Sequence, residues 1–76
     1  MNSLSKKAQD LQSGLYKHFK GGEYTVICVG RLSEDREKEM VIYQSQENSY
    51  IWIRPLDMFL EEVERDGYKG PRFRKI

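Results

Sequence analysis

Pro55 constrains this chain more than any other residue. The stretch Trp52-Ile53-Arg54-Pro55-Leu56-Asp57-Met58-Phe59 alternates like a strand up to Arg54 and then meets a residue that cannot donate to a central ladder. A strand must therefore end there and an ordered turn must follow. Pro55 suits the start of a helical turn and Asp57 its electropositive first turn, so one helical turn is expected over residues 56–60.

Turn signals divide the rest of the chain into short strands. Gly21-Gly22 separates residues 16–20 from 23–32, and a two-residue hairpin there pairs Phe19 with Tyr24, Lys17 with Val26 and Leu15 with Cys28. That register puts these residues, Cys28 included, on one core-facing side and His18 opposite Thr25 on the other. Residues 33–39 read as a charged loop, 39–46 as a third strand and 50–54 as a fourth, joined at Glu47-Asn48. Asp66-Gly67 is a second hairpin signal, between residues 61–65 and 68–70. Residues 72–75 close the chain.

At the N-terminus, Leu4, Ala8, Leu11 and Leu15 recur at helical spacing, with Ser3 as an N-cap. The expectation is a helical segment over 1–13 and one small domain over 14–76. The fold expected is mainly β: a small SH3-like barrel of about five short strands, with an N-terminal helix and one helical turn after Pro55.

Across the Glu47-Asn48 turn, Tyr43 falls opposite Trp52, Ser45 opposite Tyr50 and Val41 opposite Arg54. Parity separates Ile42, Ile51 and Ile53, expected in the core, from Tyr43, Tyr50, Trp52 and Arg54. The second set forms an aromatic face with a guanidinium beside it, suited to a peptide, a cation or a stacked base. The alternative is a second core layer, covered by the N-terminal helix or by the Arg72-Phe73 strand.

Chemistry beyond binding has little support. A net charge of +1 excludes strong global attraction to nucleic acid or anionic lipid. No apolar run approaches the roughly 18 residues of a membrane span. Cys28 is the sole cysteine, so no internal disulfide forms, which fits a reducing cytoplasm. His18 is the sole histidine and, on the expected parity, lies away from Cys28, so no Cys–His nucleophile pair is expected. The ligands of a closed zinc site are missing. Glu34, Asp35, Glu37 and Glu39 lack the spacing of a calcium loop. The acidic block 57–66 and the basic block 69–75 are expected to pair crosswise. A basic strip of Lys17, Lys20, Arg72 and Arg74 is the phosphate-binding alternative.

Four ordered blocks resemble one bacterial family, that of domain of unknown function 1653. They are Gly14-Leu15-Tyr16-Lys17-His18-Phe19-Lys20-Gly21, Val41-Ile42-Tyr43-Gln44, Trp52 through Phe59, and Pro71-Arg72-Phe73. The resemblance covers residues 14–76. It implies a bacterial, cytoplasmic, single-domain protein and brings no activity with it. The family usually reads His-Ser-Glu where this chain has Leu32-Ser33-Glu34, so no catalytic or ligating histidine is carried over to that position.

The function expected is a non-catalytic binding module, not an enzyme, that needs no cofactor and no metal. It takes protein or peptide through Tyr43, Tyr50, Trp52, Arg54 and Arg72. The alternative partner is nucleic acid, with the aromatics stacking bases and Arg and Lys holding phosphates. No membrane association is expected, and the chain is read as a monomer or weak homodimer.

Overall fold

The computed structural model describes residues 4–76. Seven strands and two short helices follow the order α1 (Lys6–Asp10), β1 (Gly14–His18), β2 (Glu23–Leu32), β3 (Asp35–Ser45), β4 (Ile51–Pro55), α2 (Leu56–Phe59), β5 (Glu62–Arg65), β6 (Tyr68–Pro71) and β7 (Phe73–Lys75). Five strands form one antiparallel sheet in the order β4-β3-β2-β1-β7, while β5 and β6 form a separate hairpin. The fold is mainly β, as expected. Among the described residues no ladder joins β4 to β7, so the main sheet keeps two edges.

The expected cap Ser3 lies outside the described residues. Ser5 caps α1, its Oγ accepting the Ala8 N–H at 3.2 Å. It also anchors the helix: its N–H and hydroxyl donate to the two carboxylate oxygens of Glu39 on β3, at 2.7 and 2.6 Å. The helix is shorter than its periodicity predicts, because Leu11 is already extended and Gln12 gives its carbonyl to the Tyr16 hydroxyl. Gly14 then turns the chain into β1 with φ +113°, a conformation costly for residues with a Cβ.

The first hairpin corrects the expected register. Lys17 pairs with Glu23 and Tyr16 with Tyr24, so the connection is wider than Gly21-Gly22 alone. The chain turns just after His18, where Gly21 N–H donates to the His18 carbonyl and Lys20 N–H to His18 Nδ1. Phe19 leaves the sheet and stacks on Tyr68, which seats the β5–β6 hairpin. The shift buries Tyr16 and leaves Lys17 outside. It also moves His18 from opposite Thr25 to Gly22, whose carbonyl accepts the His18 N–H at 2.7 Å, while Phe73 of β7 faces His18 across the other side of β1.

A bulge at Ile27 corrects the placement of Cys28. Val26 pairs with Tyr43 and Cys28 with Ile42, so two steps on β2 match one on β3. Alternation inverts there, and Cys28 is exposed rather than in the core. The expected loop over 33–39 is instead a tight turn at Ser33-Glu34, with β3 beginning at Asp35.

The third hairpin has the expected register: Tyr43 faces Trp52 and Val41 faces Arg54. Its sidedness is the reverse of the expected one. Val41 and Tyr43 are buried, whereas Ile51 and Ile53 are 53% and 64% exposed and Ile42 is half-buried. The reason lies in what covers each face. Ala8 of α1, Leu56 and Phe59 of α2, and Phe73 of β7 join Tyr16, Val26, Val41 and Tyr43 in one cluster. Phe59 and Phe73 stack with centroids 4.2 Å apart, and Tyr16 and Tyr43 meet Phe59 edge-on at 5.5 Å. Each such aromatic pair adds about 0.5–1.5 kcal/mol beyond its buried area.

The helical turn after Pro55 forms as expected. The Asp66-Gly67 turn carries positive φ at both residues, 53° and 84°, as a type I′ hairpin requires.

Candidate functional site

One small cleft brings together much of the unusual chemistry of this chain. Its walls are His18 of β1, Tyr24 of β2, Tyr43 of β3, Trp52 and Arg54 of β4, and Phe73 of β7, around a volume of about 130 Å³. The main sheet supplies every wall. The odd register of the first hairpin brings His18 and Tyr24 to this side, and the inverted sidedness of β3 and β4 brings Tyr43, Trp52 and Arg54.

Arg54 is the electrostatic centre. It is half-buried, with its Nε donating to the Tyr43 hydroxyl at 3.1 Å and its guanidinium 5.8 Å from the Phe73 ring centroid. Three ion pairs occur among the described residues: Lys6 with Asp10, Lys7 with Asp57, and Arg72 with Glu61. None includes Arg54, and no carboxylate lines the cleft.

His18 adds a second donor. Its Nδ1 accepts the Lys20 N–H at 3.1 Å, which leaves the ring proton of neutral imidazole on Nε2. Nε2 meets no hydrogen-bond partner among the described residues. The ring packs edge-on against Phe73 at 4.9 Å and Tyr24 at 6.3 Å. Burial, followed by the positive charges of Arg54, Arg72 and Lys20, pulls its pKa below the ordinary 6.5. The cleft is thus rich in donors and positive in potential, and it suits an anionic group attached to a flat or apolar one.

Of the residues expected in a site, Tyr43, Trp52 and Arg54 do meet here. Tyr43 is a buried wall, at 3% exposure, whereas Trp52 is 46% exposed at the rim. Tyr50 is exposed just outside the cleft, its ring centroid 6.3 Å from that of Trp52. Arg72 is not part of the wall. Its Nη2 bonds Glu61 at 2.9 Å and its Nε donates to the Met58 carbonyl, which locks α2 to the last strands. Its charge reaches His18 and its donors are used elsewhere. The N-terminal helix does not cover Trp52, since α1 packs through Ala8 on the core and lines a different groove with Tyr16 and Leu60.

The sequence reading missed His18, Tyr24 and Phe73 as cleft residues. Tyr16 and His18 alternate two apart on β1, so burial of Tyr16 brings His18 to the same side, and that was the available signal. Among the described residues, no group of three His, Cys, Asp or Glu gathers for a metal, and no helix is long and apolar enough to cross a membrane.

No curated protein matches the chain significantly. The structure is similar to the crystal structure of a DUF1653 protein from Bordetella bronchiseptica, with 26% identity over 91% of each chain and a TM-score of 0.80. Residues 14–75 match the family described as protein of unknown function, DUF1653. That match spans all seven strands and every wall of the cleft, and the chain belongs to this family.

Proposed function

We propose that the protein is a binding module that holds an anionic group of a protein or peptide partner in the His18–Arg54 cleft without transforming it. The observation that carries this reading is Arg54, a half-buried guanidinium with a hydroxyl and an aromatic ring for company and no carboxylate beside it. A half-buried cation without a counter-charge is poorly compensated, and a bound carboxylate makes a charge-assisted pair with it. Trp52 at the rim supplies contact area at low entropy cost. The binding role without catalysis is supported by His18, whose Nδ1 is engaged by backbone and whose Nε2 has no carboxylate or thiol partner among the described residues. Within the same reading the fold is an SH3-like arrangement with an open edge, supported by its tight turns and the helical turn before the last strands.

Trp52 is the only tryptophan and reports directly on the cleft. Its emission should change saturably with N-acetylphenylalanine and not with the neutral N-acetylphenylalaninamide, and Arg54→Gln should abolish the response while far-UV dichroism stays unchanged. An equal response to acid and amide would overturn the reading. So would a single-stranded oligonucleotide that binds far more tightly than the carboxylate with steep salt dependence, because that behaviour belongs to the nucleic-acid alternative. The engagement of Arg72 by Glu61 removes one of the phosphate contacts that alternative needs.

A further inference from the structure

Trp52 and Arg54 of β4 form one wall of the cleft, and β4 is an edge of the main sheet. Ser45 N–H donates to the Tyr50 carbonyl at 2.9 Å, which makes Ser45–Tyr50 a hydrogen-bonded pair. Antiparallel alternation gives Tyr43–Trp52 and Val41–Arg54 the same type. The N–H and C=O groups of Ile51 and Ile53 therefore point away from β3, toward an edge with no further strand among the described residues. Pro55 comes next in that outward series, where its missing N–H leaves no ladder bond unmade.

Sheet edges are normally blunted. The opposite edge, β7, is three residues long and carries exposed Arg74 and Lys75. In contrast β4 presents Ile51, Trp52 and Ile53, all about half exposed or more. Its one charge is Arg54, turned toward the cleft. An inward-pointing charge at an edge rejects any added strand that does not neutralise it.

We propose that β4 accepts an extended peptide as an added antiparallel strand, with a carboxylate side chain of that peptide opposite Arg54. This rests on the cleft reading above and specifies its ligand. Directly opposed residues share a face. The peptide residue opposite Arg54 is Asp or Glu, and the residue two positions later, opposite Trp52, is aromatic or apolar. The two residues opposite Ile53 and Ile51 are β-branched and make the ladder bonds. The recognised pattern is acidic, β-branched, aromatic, β-branched. Charge also decides against a second copy of this chain. Antiparallel pairing of β4 with itself in the hydrogen-bonding registers sets Asn48, Tyr50 or Trp52 opposite Arg54, and none is acidic.

The probe is the acetylated, amidated hexapeptide Thr-Glu-Val-Tyr-Val-Thr, titrated against the full chain by Trp52 fluorescence and calorimetry. It should bind and protect the Ile51 and Ile53 amides from hydrogen exchange. N-methylation of both valines should weaken it by about tenfold or more, through lost ladder bonds. Replacing its Glu by Gln should weaken it comparably. If the N-methylated and parent peptides bind equally while the Gln peptide is weak, strand addition is overturned and the cleft reading stands. If the Gln peptide binds as well as the parent, the cleft reading fails with it. No binding of the parent peptide overturns strand addition, and N-acetylphenylalanine then tests the cleft alone. Sedimentation showing a dimer that Ile53→Glu dissociates would give the edge to a second copy and overturn the peptide.

Discussion

Arg54 leans on Tyr43: its Nε donates to the Tyr43 hydroxyl at 3.1 Å across the β3–β4 ladder, two positions from the direct partner Trp52. A buried ring thereby aims an exposed function. Tyr43→Phe keeps the ring in the core and removes the acceptor. The expected result is a stability loss of about 1 kcal/mol in urea titration and weaker carboxylate binding with a less ordered Arg54. Unchanged binding would show that Tyr43 does not position the guanidinium.

The stack of Phe59 on Phe73 joins the α2 turn to the C-terminal strand, with Phe59 only 1% exposed. Phe59→Ala should cost about 3–5 kcal/mol. A domain this small has a net stability of about the same size. The variant is expected to lose its cooperative melt, and one that melts like the parent would refute the anchor.

His18 gives a pH signature. Its pKa in the folded protein lies below the ordinary value, through burial first and then Arg54, Arg72 and Lys20. The folded state thus favours neutral imidazole. Its contribution to stability is complete above about pH 6.5 and declines as pH falls through the folded pKa. Proton NMR of the ring should give a midpoint below 6.5, Arg54→Gln should move it up, and a bound carboxylate should raise it as well. A midpoint at or above 6.5 in the free protein contradicts the positive cleft.

Cys28 lies on the outer face of the sheet, exposed by the Ile27 bulge. A thiol reagent should label it in the native protein at close to the rate of the unfolded chain. Cys28→Ala should change stability by no more than about 0.5 kcal/mol. Protection from labelling would place the thiol under cover and remove the bulge's effect on alternation.

What the sequence determined by itself was local and periodic. The turn at Asp66-Gly67, the stop at Pro55, the helical turn after it and the pairing of Tyr43 with Trp52 all follow from backbone preferences within a few residues. Parity separated Ile51 and Ile53 from Trp52 and Arg54 correctly, since alternation in a strand is geometric. Which side faces inward was decided elsewhere. Phe59 and Phe73 arrive later in the chain and cover Tyr43 and Val41, and the isoleucines are left outside. The Ile27 bulge and the wide turn after His18 likewise depend on partners: β3 across the sheet, and Tyr68, which draws Phe19 out of its strand. The cleft exists because the registers of β1, β2, β3, β4 and β7 turn His18, Tyr24, Tyr43, Arg54 and Phe73 to one side of the sheet. Alternation assigns a residue to a face, and only packing between distant segments decides which face becomes the interior.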